Sequence, residues 1–217
     1  YKTDYHNILQ GQIIYPGLIY PHNYCTEYLA GSILNKPLGR IDEFFKEKII
    51  DSDFVNLGAK ILIVKLFKTG VTTFSDISLF PDQVIDVSSK LGIKIASGLP
   101  ILNQANNWVM GEDEAYKKCL TIFDNYKSNT NVKMFFPLFT SAMISDKMLS
   151  NVSKIANELE VPIRLINDDM QSSEKIITLL EKFDALNLIN EKFTCVNFMI
   201  DKSVIKRIIE QKINIIN

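Results

Sequence analysis

A parallel β/α barrel is the fold class that this 217-residue sequence predicts, on three observations. Short β-branched or aromatic runs alternate with longer segments of helical period six times over, and a seventh run begins at the end. The short runs are continuously apolar, as strands are when both faces of a sheet are covered. No G-x-G-x-x-G follows the first run, so the main signature of an open doubly wound sheet is missing. This many units in one order favour a (β/α)8 barrel, here incomplete, with about six β/α units and the start of strand seven.

The elements are read in chain order. "YPGLIYPHN" (15–23) holds the first strand, near 17–22, and helical patches are expected at 26–34 and 40–50. "DFVNLGAKILIVKLFKTG" (53–70) is a long amphipathic helix stopped by Gly70. A strand follows in "VTTFSDI" (71–77), then a helix in "PDQVIDVSSKLG" (81–92), with proline at its start and glycine at its end. "IKIASGLPI" (93–101) is the next strand, and the polar stretch 102–113 reads as a loop at a barrel mouth. Trp108 in that loop is a candidate to line a ligand pocket. A helix over 112–127 and the strand "VKMFFPLF" (132–139) lead to a helix over 145–160 with Ser145 as its N-cap. "VPIRLIND" (161–168) is the fifth strand, and the hydroxyls of Ser172 and Ser173 are placed to cap the helix after it. "KFTCVNFMI" (192–200), the helix 201–212 and a last strand in "INIIN" complete the chain.

Composition limits the partners. With 24 basic and 25 acidic side chains scattered throughout, no basic stripe exists to follow a phosphate backbone, and nucleic acid is not expected. The apolar runs are too short to span a membrane, and 47% hydrophobic content is enough to bury a large core. Cys25, Cys119 and Cys195 are widely spaced and form no C-x-x-C pair, which favours reduced thiols. With no secretory signal in the polar opening "YKTDYHN", the expected compartment is the cytoplasm.

Four stretches in colinear order, "YPGLIYPHN…LAG", "KTGVTTFSD", "SDKMLSNVSKIANELEVPI" and "DKSVIKRIIEQKINII", resemble the amidohydrolase superfamily. The branch most resembled is the chlorohydrolase and aminohydrolase group, which includes cytosine, guanine and adenosine-type deaminases. The resemblance implies a partial amidohydrolase-type TIM barrel over 17–217, with residues 1–16 as an N-terminal segment left from a small β domain. It also implies a chemistry. Family members hold Zn or Fe with two histidines of the first strand, one each on the fifth and sixth, and an aspartate on the eighth. The metal acidifies a bound water, and a glutamate shuttles the proton as hydroxide attacks a C–N or C–Cl carbon.

Carried onto this chain, the first ligand position is His22 and the second is Tyr24. The fifth-strand histidine becomes Ile166, the shuttle glutamate Asp169, the sixth-strand histidine Val196, and a substrate-binding histidine Phe139. The eighth-strand aspartate lies beyond Asn217, and His6 falls outside the barrel pattern. The expectation is a protein of deaminase or chlorohydrolase descent that has lost its metal site and catalysis, with no bound cofactor. The alternative is an active metal-dependent aminohydrolase acting on a purine, pyrimidine or triazine-like heterocycle, its ligand set completed by residues outside this chain. A structural module using an exposed barrel edge is a third reading. A small heterocycle is the expected ligand; a second copy, or a missing C-terminal part of the same protein, is the expected cover for the open edges.

Individual residues keep two readings each. His22 is a metal ligand or a polar strand-end residue, hydrogen-bonded or solvated, and the donor count favours the second. Asn167, Asp168 and Asp169 end the fifth strand, where barrel enzymes place catalytic carboxylates, with Asp169 as general base; a polar helix-start loop is the plainer alternative. Asp76 ends the second strand without being diagnostic, and neither Cys25 nor Cys195 has a histidine that sequence can place beside it.

Overall fold

A computed structural model of the chain describes residues 11, 13–26, 29–30, 45–140, 145–168, 172–198 and 202–216. Seven parallel strands form one sheet in the order of the chain: β1 (Leu18–Tyr20), β2 (Val71–Asp76), β3 (Lys94–Gly98), β4 (Val132–Phe139), β5 (Ile163–Ile166), β6 (Thr194–Val196) and β7 (Asn214–Ile216). Between them run α1 (Ser52–Lys68), α2 (Pro81–Leu91), α3 (Glu112–Tyr126), α4 (Asp146–Leu159), α5 (Ser173–Ala185) and α6 (Lys202–Gln211). The sheet is curled. Arg164 of β5 reaches across to Ser75 of β2 and to the Pro21 carbonyl just beyond β1, strands that are not its neighbours in the sheet. The expected incomplete parallel β/α barrel is therefore the observed fold.

Local chemistry explains the element boundaries. Asp51 starts α1 by accepting from the Phe54 N–H at 2.8 Å, and Ser145 starts α4 by accepting from Met148 N–H at 3.1 Å. Pro81 opens α2, and Gly92 closes it at φ 75°, a left-handed conformation that glycine adopts without a Cβ penalty. Two expectations fail. Ser172 stands at the N-cap of α5, but its side chain makes no capping bond; the residue is exposed, where solvent competes for the N–H groups of a helix start. Residues 45–50, expected to finish a helix, form turns, with Ile50 N–H donating to Glu47 O. The rest of that patch, and most of the 26–34 patch, lie outside the described residues, although Leu29 and Ala30 are helical.

Register assigns the two faces of the sheet. Phe74, Ile95, Met134, Phe136, Ile163, Leu165 and Cys195 share the outward face, where all are buried together with Leu62, Ile85, Ile122, Val152 and Leu180 of the helices. Ser75, Ala96, Gly98, Phe135, Pro137, Arg164, Ile166 and Val196 share the inward face. The edges of the sheet are β1 and β7, where Ile19 is 70% exposed and Ile215 37%. Among the described residues, no helix is long and apolar enough to cross a membrane.

Close packing also holds the loop after β1. Gly58 of α1 backs directly onto it: a Cβ there would lie 2.8 Å from the Cys25 carbonyl oxygen, a backbone atom that cannot rotate away. Gly58→Ala is expected to destabilise the chain by about 1–3 kcal/mol despite alanine's better helix propensity, because the helix must shift off the loop. Urea denaturation of the variant checks this, and a stabilised Gly58→Ala protein would show that the contact is slack.

Candidate functional site

The C-terminal ends of the strands form the rim where a barrel builds its site. At the end of β2, Asp76 is fully buried and collects three donors from nearby loops. Its Oδ1 accepts from the Cys25 N–H at 2.6 Å and from Asn23 Nδ2 at 3.2 Å, and its Oδ2 accepts from Ser78 Oγ at 2.8 Å. Burial lifts the carboxyl from its ordinary 3.8 to about 6, against the pull of those donors. Cys25 is buried in the same cluster, with Sγ 3.2 Å from Ser78 Oγ, and burial pushes its thiol well up. Cys195 is buried in β6, where burial pushes its thiol up to about 12. Neither environment produces a thiolate nucleophile at neutral pH.

His22 stands one residue from this cluster. Both ring nitrogens are buried, and neither has a hydrogen-bond partner among the described residues. The ring meets Tyr24 edge-on at 4.9 Å. The expectation of a hydrogen-bonded or solvated residue is thus not met, because the loop carries the ring inward. Burial, and then the positive charge of Arg164, hold the imidazole down at about 4, so it is neutral near pH 7.

Arg164 is the residue that sequence reading passed over. Its Nη1 donates to Ser75 Oγ at 2.6 Å and to Pro21 O at 3.3 Å, and the guanidinium lies 3.9 Å from the centre of the Phe135 ring. A signal was available: Arg164 is the one charged side chain in the run "VPIRLIN", and alternation sets it on the same face as Ile166. What could not be read was which face looks inward.

Ile166 and Val196 are neighbours in register at the ends of β5 and β6, both fully buried. Phe139 is buried against Phe45 in an edge-on contact of 6.1 Å. Thr140 Oγ1 donates to Asn167 Oδ1 at 3.1 Å and to Asp168 Oδ1 at 3.3 Å, and Asn167 Nδ2 donates to Asn197 O, so these polar groups tie adjacent strand ends together. Asp169 lies outside the described residues. Trp108 does not line a mouth pocket. Asn106 Oδ1 accepts from the Trp108 and Val109 N–H groups, folding the loop back so that the indole is buried in the core beneath Lys118.

No protein-family model matches the chain. A curated 5-methylthioadenosine/S-adenosylhomocysteine deaminase of Saccharophagus degradans is 26% identical over 168 residues, covering 74% of this chain and 37% of the relative. An adenosine deaminase from Xanthomonas campestris with bound zinc superposes with a TM-score of 0.78 at 18% identity, covering 92% of this chain and 48% of that one. Zinc-bound atrazine chlorohydrolase from Arthrobacter aurescens gives a TM-score of 0.72 at 14% identity, covering 92% and 52%. The chain is similar in sequence to these deaminases and shares the barrel fold of these hydrolases. It spans a little over a third of the length of the first curated relative and about half of the matched structures.

Zinc is bound in both of these structural neighbours, so the donor set of this chain has to be tested against it. Zinc needs three or four N, O or S donors converging on one point. Of the positions carried over by resemblance, His22 and Tyr24 offer donors, while Ile166 and Val196 offer none. Among the described residues, no group of three His, Cys, Asp or Glu side chains could share an ion. The cationic Arg164 also reaches the carbonyl of the residue before His22. The described residues do not fit the metal.

Proposed function

We propose that this chain is an amidohydrolase-type barrel that does not run metal-hydroxide hydrolysis with its own residues. The observation that carries the reading is the pairing of a guanidinium with aliphatic side chains where the family's donors would converge. Arg164 extends toward the His22 loop, and Ile166 and Val196 close the strand ends with hydrocarbon. A dication there would be repelled by the guanidinium in a water-poor space, and it would keep too few ligands. Without metal assistance, the attacking water keeps a pKa near 15.7, and a lone carboxylate base recovers only about 10²–10⁴-fold.

Elemental analysis tests this directly. Purified chain dialysed against a mild chelator is expected to hold zinc, iron and manganese far below one equivalent, with no change in His22→Ala. Stoichiometric zinc that disappears in His22→Ala would overturn the proposal.

A second reading has its own support. The first curated relative is named as a deaminase of adenine-containing thioethers, and His22 keeps a neutral imidazole with both nitrogens open. Under this reading the chain is part of an aminohydrolase whose remaining ligands come from outside it, and a purine nucleoside is its substrate class. Turnover of 5-methylthioadenosine that follows the protein through purification and requires His22 would favour it over the first.

A further inference from the structure

The inward face of the sheet carries an unbalanced charge. From β2 to β7 its positions include Lys94, Lys133 and Arg164 and no carboxylate, among the described residues. Lys94 and Lys133 are exposed, whereas Arg164 is partly buried. Arg164 makes no ion pair with any described residue. A guanidinium has five N–H donors in a planar fork. Both recorded bonds of Arg164 leave from Nη1, so Nη2 and Nε have no acceptor among the described residues. Ser75 Oγ accepts from Arg164, and its own proton has no recorded acceptor.

The fork is also held in place. Phe135 stacks against its face at 3.9 Å, and the two Nη1 bonds anchor one edge to β1 and β2. A cation taken partly out of water without a counter-charge is costly, and burial lowers the Arg164 pKa to about 10. A strut between strands would need neither the open donors nor the missing carboxylate.

We propose that Arg164, with Ser75 Oγ beside it, forms a binding site for the oxyanion group of a small ligand, a carboxylate or a phosphate, on the inward face of the sheet. The free edge of the fork takes two oxygens of the anion side by side, and the Ser75 hydroxyl donates to one of them. Lys94 and Lys133 supply attraction at longer range. Arg164 itself is only partly buried, which leaves the free edge of the fork accessible. The site rests on the metal-free reading above, since an ion held at His22 would compete for the same anion.

Isothermal titration calorimetry at constant ionic strength, with chloride as the balancing anion, tests the site using inorganic phosphate and acetate as separate probes. Saturable one-site binding of either probe is expected. Phosphate alone assigns a phosphorylated ligand, acetate alone a carboxylate, and both together the shared chemistry. Arg164→Gln is expected to weaken binding at least tenfold, Arg164→Lys less, and Ser75→Ala a few-fold, with circular dichroism confirming that each variant is folded. If Arg164→Gln does not fold, Arg164→Lys and Ser75→Ala carry the test. Absence of saturable heat from both probes would overturn the proposal, as would unchanged affinity in the folded variants. Metal content measured on the same sample separates the failures: zinc in the protein contradicts the metal-free reading, whereas a metal-free protein that binds neither probe contradicts this one alone.

Discussion

Asp76→Ala is expected to destabilise the chain by about 4 kcal/mol, because it leaves the Cys25 N–H, the Asn23 amide and the Ser78 hydroxyl without their acceptor in a buried place. Each such orphan costs about 1–3 kcal/mol, partly offset by removing a buried charge. Asp76→Asn separates the two effects. Its amide keeps an oxygen for Cys25 and Asn23, presents an N–H₂ to Ser78 Oγ, and carries no charge at any pH. The folded carboxyl titrates at about 6 against an ordinary 3.8, so the folded state binds the proton more tightly. Its stabilising contribution is fully present below 3.8 and is lost as pH rises through 6. The loss amounts to roughly 3 kcal/mol over that interval. Asp76→Asn should therefore match or exceed the parent at pH 8 and fall behind it near pH 4. Urea midpoints at the two values, with unchanged slopes, measure this. An Asp76→Ala protein within about 1 kcal/mol of the parent would show that the cluster holds nothing together.

His22→Phe is expected to act with the opposite sign on the acid side. The imidazole titrates at about 4 in the folded chain against an ordinary 6.5, first because it is buried and then because Arg164 is nearby. The folded state resists protonation, so the stability His22 permits is present above 6.5 and drains away as pH falls through 4. That shift corresponds to roughly 3 kcal/mol. Phenylalanine has no proton to take up and no buried nitrogen to leave unpaired, and it can keep the edge-on contact with Tyr24. The parent should show a nearly flat stability between pH 4 and 7, because Asp76 gains on acidification about what His22 loses. His22→Phe should grow more stable on acidification and Asp76→Asn less stable. Parallel pH profiles for parent and His22→Phe would mean that the ring is solvated in solution.

How much of this was legible in the residues differs between scaffold and site. Continuous apolar runs, Pro81 and Gly92 at opposite ends of one helix, and Ser145 ahead of another are local signals. The strands and helices they imply match those observed to within a few residues. The fold class followed from repetition, since a parallel sheet needs a crossover at each step. Ser172 failed as a side-chain cap because an exposed helix start can use water. Trp108 failed as a pocket residue because the Asn106 side chain turned its loop inward, a bond that composition does not announce.

What the sequence determined by itself is the chain of β/α units and the lack of any donor atom on the side chains of Ile166 and Val196, because helix period, strand character and donor chemistry are properties of single residues and their near neighbours. Only the tertiary structure decided that Asp76 gathers the loop after β1, that the His22 ring nitrogens are buried without a partner among the described residues, and that Arg164 points inward beside them. Those facts depend on residues 51 to 143 positions apart meeting across a curled sheet, and a one-residue change of register would send Arg164 to the opposite face.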